Sequence, residues 1–314
     1  MTYKNRFIFL VSIITLLALA YTASYVFSPE RRSAKSASFI WLETKIAAKT
    51  SKIVINTEGQ TIELLKQNNL WFVSSNGNLY PANMARIEDF IGIFTARSAW
   101  PVRSSGASLY ERFGLNEDTA SRVTIYGENT VLLDVLCGKN DTMGHEIFLR
   151  KYAGNEVRSG SDSISLYIDG PVDYWFNLAL IPKSADGKPD INSVQRLTVY
   201  NGTETQVFSR KNREWAVSGI NVENPDQNKI ENYVRIVLDT EGDDFIDSVF
   251  ADNYVFGKSR VVFEFGDGRV VTIQISEPDG TGRCLVQVTG SEYFYSVPAW
   301  ASMRIFRDAA SFEK

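Results

Sequence analysis

The chain is poor in the two residue types that most often bind metals or form disulfides. Its 314 residues include two cysteines and one histidine. These counts exclude a metal site built on paired histidines, a four-cysteine zinc site and the dense disulfide framework of small secreted domains. We therefore interpret Cys137 and Cys284 as free buried thiols, with a bridge between them as the alternative, and His145 as a solvated loop residue.

The common catalytic and nucleotide-binding motifs are also missing from the sequence. It contains no G-x-S-x-G elbow, no P-loop and no G-x-G-x-x-G. These motifs supply the nucleophile of hydrolases or the backbone that binds phosphate groups. The sequence therefore names no catalytic residue, no metal ligand and no cofactor, and we predict that the protein is not an enzyme.

One long apolar run lies near the N-terminus. Phe7 to Phe27 carries no charged residue over 21 positions, and roughly 20 apolar residues are enough for a membrane-spanning helix. We predict a retained anchor at 7–27, with 1–6 in the cytoplasm and a linker at 28–50. Ala18-Leu19-Ala20 offers the alternative of a cleaved signal peptide. Under either reading, the remainder of the chain crosses a membrane.

The charge of the chain is unevenly distributed. Residues 1–50 hold seven Lys or Arg and two Glu, so their net charge is +5. The whole chain has a net charge of −4, so residues 51–314 carry −4 − (+5) = −9. An acidic ectodomain repels polyanions, and we therefore predict that it has no nucleic-acid partner.

The most informative pattern is a long internal repeat. The strand-like segments that contain Trp71 and Trp215 are offset by 215 − 71 = 144 residues. A period this long exceeds the roughly 20–50 residues of solenoid repeats and indicates a duplicated domain. Each copy contains hairpin patterns, such as Asn201-Gly202 between apolar runs, followed by an amphipathic helix and further strands. We predict an α+β fold with two tandem, duplicated domains, 51–182 and 194–314, joined by a linker at 183–193. Each domain would be an antiparallel sheet covered by a helix.

Aromatic residues form the second notable set. The repeat pairs Trp71 with Trp215 and Trp175 with Trp300, which predicts a shared core role for all four. Aromatic residues in the loops after the two helices are candidates for partner binding, because such loops often carry function. The alternative is that they close the core. The candidates are Trp100, Tyr110, Phe113, Tyr254 and Phe256.

Acidic residues cluster after the second helix. Glycoside hydrolysis needs two carboxylates at a suitable separation, and Glu241, Asp243 and Asp244 are the first candidates for such a pair, with Asp247 nearby. The alternative is a solvated acidic face. The cluster keeps a glycan hydrolase open as a second interpretation of the chain.

The order of several motifs resembles that of a bacterial family. An N-terminal anchor is followed by Leu70-Trp71-Phe72-Val73, Tyr80-Pro81-Ala82-Asn83, Phe113-Gly114-Leu115 and a late Tyr174-Trp175. This order is similar to that of the bacterial domain-of-unknown-function family numbered 4340, most clearly over residues 50–182. Two positions depart from the family pattern, because Phe113 stands for its usual Tyr and Asn83 for its usual Asp.

The resemblance implies a cellular setting. Genes of that family often lie beside those of gliding-type ABC transporters, which include a permease and a subunit with a large extracytoplasmic domain. It therefore implies a single-pass protein of the bacterial inner membrane whose periplasmic ectodomain binds transporter subunits or an envelope substrate. It implies no catalytic residues. An envelope glycan hydrolase and a structural or adhesion module are the alternatives.

Overall fold

The computed structural model describes residues 15, 17, 38–128, 130–181, 190–202, 204–251 and 254–314. Within these residues, no helix has both the length and the apolar character needed to cross a membrane. The predicted anchor Phe7–Phe27 lies outside the described residues except for Thr15 and Leu17. Residues 182–189, which include most of the predicted interdomain linker, also lie outside them.

The described chain is an α+β protein with two large sheets. It forms two compact units, the first containing residues up to Trp71 together with Arg86–Tyr174 and the second containing Phe72–Ala85 with Trp175–Lys314. The hairpin that follows Trp71 therefore belongs to the second unit.

The first large sheet has nine strands. Two further short strands from the same part of the chain form a separate two-stranded sheet. The nine-stranded order is β5-β4-β3-β2-β8-β9-β10-β11-β7, and the short pair is β1-β6. The strands are β1 (Ser38–Phe39), β2 (Lys52–Thr57), β3 (Gln60–Gln67), β4 (Leu70–Ser75), β5 (Asn78–Pro81), β6 (Ser98–Ala99), β7 (Val102–Ser104), β8 (Ser121–Tyr126), β9 (Val131–Asn140), β10 (Glu146–Lys151) and β11 (Val157–Ser161).

The second large sheet has eight strands in the order β14-β13-β12-β16-β17-β18-β19-β15. The strands are β12 (Val194–Asn201), β13 (Glu204–Lys211), β14 (Glu214–Ser218), β15 (Asp244–Ile246), β16 (Phe256–Phe265), β17 (Val270–Ser276), β18 (Arg283–Val288) and β19 (Phe294–Pro298). The helices of the described chain are α1 (Thr44–Ala47), α2 (Met84–Thr95), α3 (Tyr110–Phe113), α4 (Ser165–Ile168), α5 (Gln227–Leu238), α6 (Ser248–Ala251) and α7 (Ala299–Ser302). Short 3-10 helices include Val172–Trp175 and Ala309–Phe312.

Eight strands of the first sheet have counterparts in the second, in the same chain order and the same spatial order. The antiparallel register is also the same. Ile53 of β2 lies opposite Ile125 and Leu64, and Leu197 of β12 lies opposite Phe263 and Phe208. The offset between Ile53 and Leu197 is 197 − 53 = 144 residues, equal to the offset of the tryptophans.

The two long helices carry the apolar stripes that their spacing predicts. Ile87, Phe90 and Phe94 of α2 are buried, as are the four stripe residues of α5, namely Ile230, Tyr233, Val234 and Val237. Ile91 is half-buried. Asp226 caps α5, because its carboxylate accepts hydrogen bonds from the backbone N–H groups of Asn228 and Lys229. Such a cap satisfies two of the N–H groups that a helix start leaves without an intrahelical partner.

The prediction that Trp175 and Trp300 share a core role is wrong for Trp300. Trp175 is fully buried, whereas Trp300 is 59% exposed. The counterpart of Trp175 is Phe312, which is 1% exposed. The Trp175 carbonyl accepts a hydrogen bond from the Asn83 N–H just before α2, and the Phe312 carbonyl accepts one from the Asp226 N–H just before α5, both at 2.8 Å.

The last strand of the first sheet also differs from prediction. The sequence pattern predicts a strand at Ser165–Ile168, but this segment forms α4, and the strand is Val157–Ser161. Val157–Ser161 has one large apolar residue and so carries a weak strand pattern. The side chain of Trp100 fills the missing apolar volume, because a Cβ on Gly160 would lie 2.1 Å from the Trp100 ring.

Candidate functional site

A cavity of about 630 Å³ lies in the second unit and combines aromatic rings with carboxylates. All of the residues that line it belong to that unit. They are Asn76, Tyr80, Phe245, Ile246, Asp247, Phe250, Tyr254 and Asp279.

One wall of the cavity comes from a hairpin. Asn76 and Gly77 have φ angles of 51° and 81°, which allows the tight turn between β4 and β5 because glycine and asparagine tolerate positive φ. The turn places Tyr80 in β5, opposite Val73 of β4. The asparagine-glycine pair therefore sets the position of the Tyr80 ring.

The opposite wall comes from β15 and the start of α6. Phe245 in β15 pairs with Tyr295 of β19 at the edge of the sheet. Asp247 follows β15, and its Oδ1 accepts a hydrogen bond of 3.1 Å from the N–H of Val249 at the start of α6. Its Oδ2 accepts a hydrogen bond of 3.3 Å from the side-chain amide of Asn78.

Stacked rings form the apolar part of the cavity. The rings of Tyr80 and Phe245 are stacked, with centroids 4.8 Å apart and planes at 17°. Tyr293 lies 5.5 Å from Phe245 and 6.0 Å from Tyr80. Burial raises the pKa of Tyr293 to about 12. Such ring pairs contribute about 0.5–1.5 kcal/mol beyond their area burial, which stabilises this wall.

The polar part of the cavity is held by hydrogen bonds to Asp279. The Tyr254 hydroxyl donates to its Oδ2 at 3.0 Å. Its Oδ1 accepts from the Thr281 hydroxyl and N–H and from the Arg283 N–H, at 2.7 to 3.0 Å. These bonds, the one from the Thr281 hydroxyl first, hold the pKa of Asp279 far below its usual value. Asp279 is therefore ionised over the whole physiological range.

The five aromatic candidates from the sequence lie at separate places. Tyr254 lines the cavity, and Phe256 is half-buried at the start of β16. In the first unit, Trp100 is 3% exposed and packs edge-on against Trp41 at 5.4 Å. Phe113 packs on Phe148 at 4.6 Å.

Tyr110 lies under the Arg150 guanidinium at 4.2 Å. Burial gives Trp100 a core role, which was the alternative that the sequence left open. Trp41 is also buried, at 4% exposure, and docks on the first unit.

The acids considered for hydrolysis are engaged elsewhere. Asp243 forms an ion pair with Arg283 at 2.5 Å, and the Asp244 carboxylate accepts a hydrogen bond from the Phe245 N–H at 2.8 Å. The backbone of Glu241 forms an isolated antiparallel β-bridge with that of Ala179. None of these three lines the cavity, whereas Asp247 does.

The described part of the chain contains no candidate metal centre. No group of three or more His, Cys, Asp or Glu that could hold a metal ion is found there. Cys137 and Cys284 are free and buried, as their interpretation from the sequence predicted. Burial raises the pKa of both thiols, which keeps them protonated and unreactive.

The sequence analysis did not predict that the cavity residues lie close together. Tyr80 stood out only as part of a motif, and Asp247 only as one of several clustered acids. Phe245, Phe250 and Asp279 carried no signal. Two clues were usable, namely the Asn76-Gly77 turn signal three residues before Tyr80 and the choice of Tyr254 as an aromatic loop residue.

Comparison with known proteins found no match: no protein-family model, no curated protein and no solved structure matches the chain. The resemblance to family 4340 therefore rests on the order of its motifs alone.

Proposed function

We propose that the protein is a membrane-anchored, non-enzymatic accessory subunit of a gliding-type ABC transporter system. Its ectodomain would lie in the periplasm of a bacterium, and the cavity of the second unit would be its ligand site. The observation that carries the binding role is the cavity itself, with its stacked rings and two carboxylates. An aromatic-lined cavity with a few convergent polar groups is the usual form of a small-molecule site. The transporter and the membrane anchor come from the motif order and from Phe7–Phe27.

The finer architecture in this proposal is a tandem duplication of one domain. The common strand order and register support it. The paired closing segments support it as well, because Val172–Trp175 and Ala309–Phe312 bond to the start of equivalent helices. Duplication followed by divergence would leave two similar sheets of which one is free to acquire a ligand site.

An exposed apolar patch at the cavity supports contact with a transporter subunit. Val249, Phe250 and Val255 are 75%, 59% and 72% exposed, and Phe250 also lines the cavity. Exposed apolar side chains that lie close together often mark interaction sites, and these three fall within seven positions of one another in the sequence. We therefore assign the transporter contact to this patch.

A glycan hydrolase is the second candidate, because Asp247 and Asp279 share one cavity. Hydrolysis by two carboxylates requires a general acid whose pKa is raised. The pKa of Asp279 is shifted in the opposite direction by its hydrogen bonds. This shift argues against Asp279 as the general acid of such a pair. A structural or adhesion module is a further alternative, which the cavity does not favour.

Co-purification from native membranes tests the proposed function. The full-length tagged protein, solubilised in mild detergent after chemical crosslinking, should recover the permease and the extracytoplasmic subunit of an ABC transporter, identified by mass spectrometry. Recovery of the protein without these subunits would contradict the proposal. Release of reducing sugar from purified peptidoglycan, abolished in Asp247→Asn, would favour the hydrolase instead.

A further inference from the structure

The described lining of the cavity in the second unit carries negative charge. Among the residues that the structure describes there, the ionisable ones are Asp247 and Asp279 together with two tyrosines, and none is Lys, Arg or His. In the described part of the chain, neither carboxylate forms an ion pair with a Lys or Arg. The Arg283 guanidinium lies close enough to act on Tyr254, but it forms its ion pair with Asp243, outside the lining. The ionised groups of the described lining are therefore the two carboxylates.

The carboxylates are held in place by neutral donors. Asp279 accepts hydrogen bonds from the Tyr254 hydroxyl, from Thr281 and from the Arg283 backbone N–H. Asp247 accepts them from Val249 and Asn78. Neutral donors fix the position of each carboxylate without cancelling its charge. A cation that enters the cavity meets two preorganised carboxylates.

The aromatic rings favour the same kind of ligand. A ring face carries negative charge density and attracts a cation within about 6 Å of its centroid. Tyr80, Phe245, Phe250 and Tyr254 supply four rings to the lining. The stacked pair Tyr80–Phe245 also offers an apolar surface to an aliphatic chain.

We propose that this cavity binds an alkylammonium group, with the ammonium facing Asp247 and Asp279 and the aliphatic chain lying against Tyr80 and Phe245. The inference rests on the proposed function, since it names the ligand of the same site. A neutral glycan is the competing class, because sugars also stack on aromatic rings. It would bring no positive charge to the two carboxylates, whereas an ammonium group would donate charge-assisted hydrogen bonds to them, which are roughly twice as strong as neutral ones.

Binding measurements on the full-length protein in a neutral detergent test the proposal. The probes are Nα-acetyl-lysine amide, its uncharged counterpart Nα-acetyl-norleucine amide, and the N-acetylglucosamine trimer, each followed by saturation-transfer NMR and calorimetry. The lysine derivative should bind, at least tenfold more tightly than the norleucine derivative. Short-chain phosphatidylethanolamine supplies the same ammonium group from a lipid headgroup, and its binding in place of the lysine derivative would also support the proposal.

Matched variants assign the binding to the cavity. Asp279→Asn and, separately, Asp247→Asn should weaken binding at least tenfold. Asp267→Asn is the control, because it removes one negative charge from the same unit at an exposed turn where Asp267 pairs with Arg269 at 2.6 Å. Both cavity variants are first checked for an unchanged circular dichroism spectrum. Two cavity variants are used so that, if one of them misfolds, the other still tests the proposal.

Several outcomes would overturn the proposal. They are stronger binding of the glucosamine trimer, equal binding of the norleucine derivative, or the same loss of affinity in Asp267→Asn as in the cavity variants. If ammonium binding fails while the transporter subunits still co-purify, the ligand class is wrong and the accessory role stands. If binding succeeds while co-purification fails, the site stands and the transporter role is wrong.

Discussion

Replacing Phe312 with alanine should destabilise the second unit far more than replacing Trp300. Phe312 is 1% exposed, and its ring centroid lies 5.0 Å from those of Phe208 and Tyr233. Truncation of a buried phenylalanine costs about 3–5 kcal/mol because it removes apolar burial and leaves a cavity. Trp300 is 59% exposed, with the Arg304 guanidinium 4.8 Å above its ring. Its truncation should cost about 1 kcal/mol or less.

Urea unfolding of the full-length variants in detergent measures this difference. At a slope of about 2 kcal/mol per molar urea, Phe312→Ala should lower the midpoint of the second unit by about 1.5–2.5 M. Trp300→Ala should lower it by about 0.5 M or less. Trp215→Phe identifies the transition, because the buried Trp215 reports on that unit. Equal midpoints for Phe312→Ala and Trp300→Ala would refute the assignment of Phe312 as the counterpart of Trp175.

The remaining predictions concern the core, the N-terminus and alkaline stability. Trp71→Ala and Trp215→Ala should each cost about 3–5 kcal/mol in urea unfolding, since both side chains are at most 7% exposed; losses below 1 kcal/mol would contradict their core role. Intact mass should show an unprocessed N-terminus, and a mature chain that begins at Tyr21 would instead establish cleavage of the apolar segment. Burial raises the pKa of Tyr293 to about 12, above about 10 in an unfolded chain. The stability from this shift is complete below pH 10 and is lost as the pH rises towards 12. The difference between the unfolding midpoints at pH 9 and pH 11 should therefore be smaller in Tyr293→Phe than in the wild type. An equal difference in the two proteins would contradict the shift.

The regular elements were predictable because local sequence determines them. Asn201-Gly202 marks the turn of the β12–β13 hairpin, and the spacing of Ile230, Tyr233 and Val237 marks the buried face of α5. Asp226 marks its start, because a side-chain cap acts within three residues. Patterns of this kind need no knowledge of distant parts of the chain.

The errors come from interactions between distant segments. The Phe312 carbonyl accepts a hydrogen bond from the N–H of the distant Asp226, a contact that no local pattern shows. A tryptophan at Trp300 therefore looked like the better match for Trp175. Likewise, Gly160 belongs to a strand because Trp100 fills the space above it, although glycine itself weakens a strand pattern.

The candidate site was the least predictable part. Tyr80, Phe245 and Asp279 come from three distant segments that meet only in the fold. Each is ordinary in its own sequence context, so neither spacing nor composition distinguishes it. Tyr254 was singled out as an aromatic loop residue, but its role at the cavity depends on the hydrogen bond to Asp279.

Site-specific photocrosslinking in native membranes tests the central claim most directly. A photoreactive amino acid is placed at Phe250, and the control is placed at Trp300, which has the same exposed fraction of 59% in the same unit. The proposed function predicts a crosslink from position 250, and not from position 300, to the permease or extracytoplasmic subunit of an ABC transporter. The assignment of the transporter contact to Val249, Phe250 and Val255 would be contradicted if position 250 gave no crosslink to a transporter subunit. It would also be contradicted if positions 250 and 300 crosslinked equally.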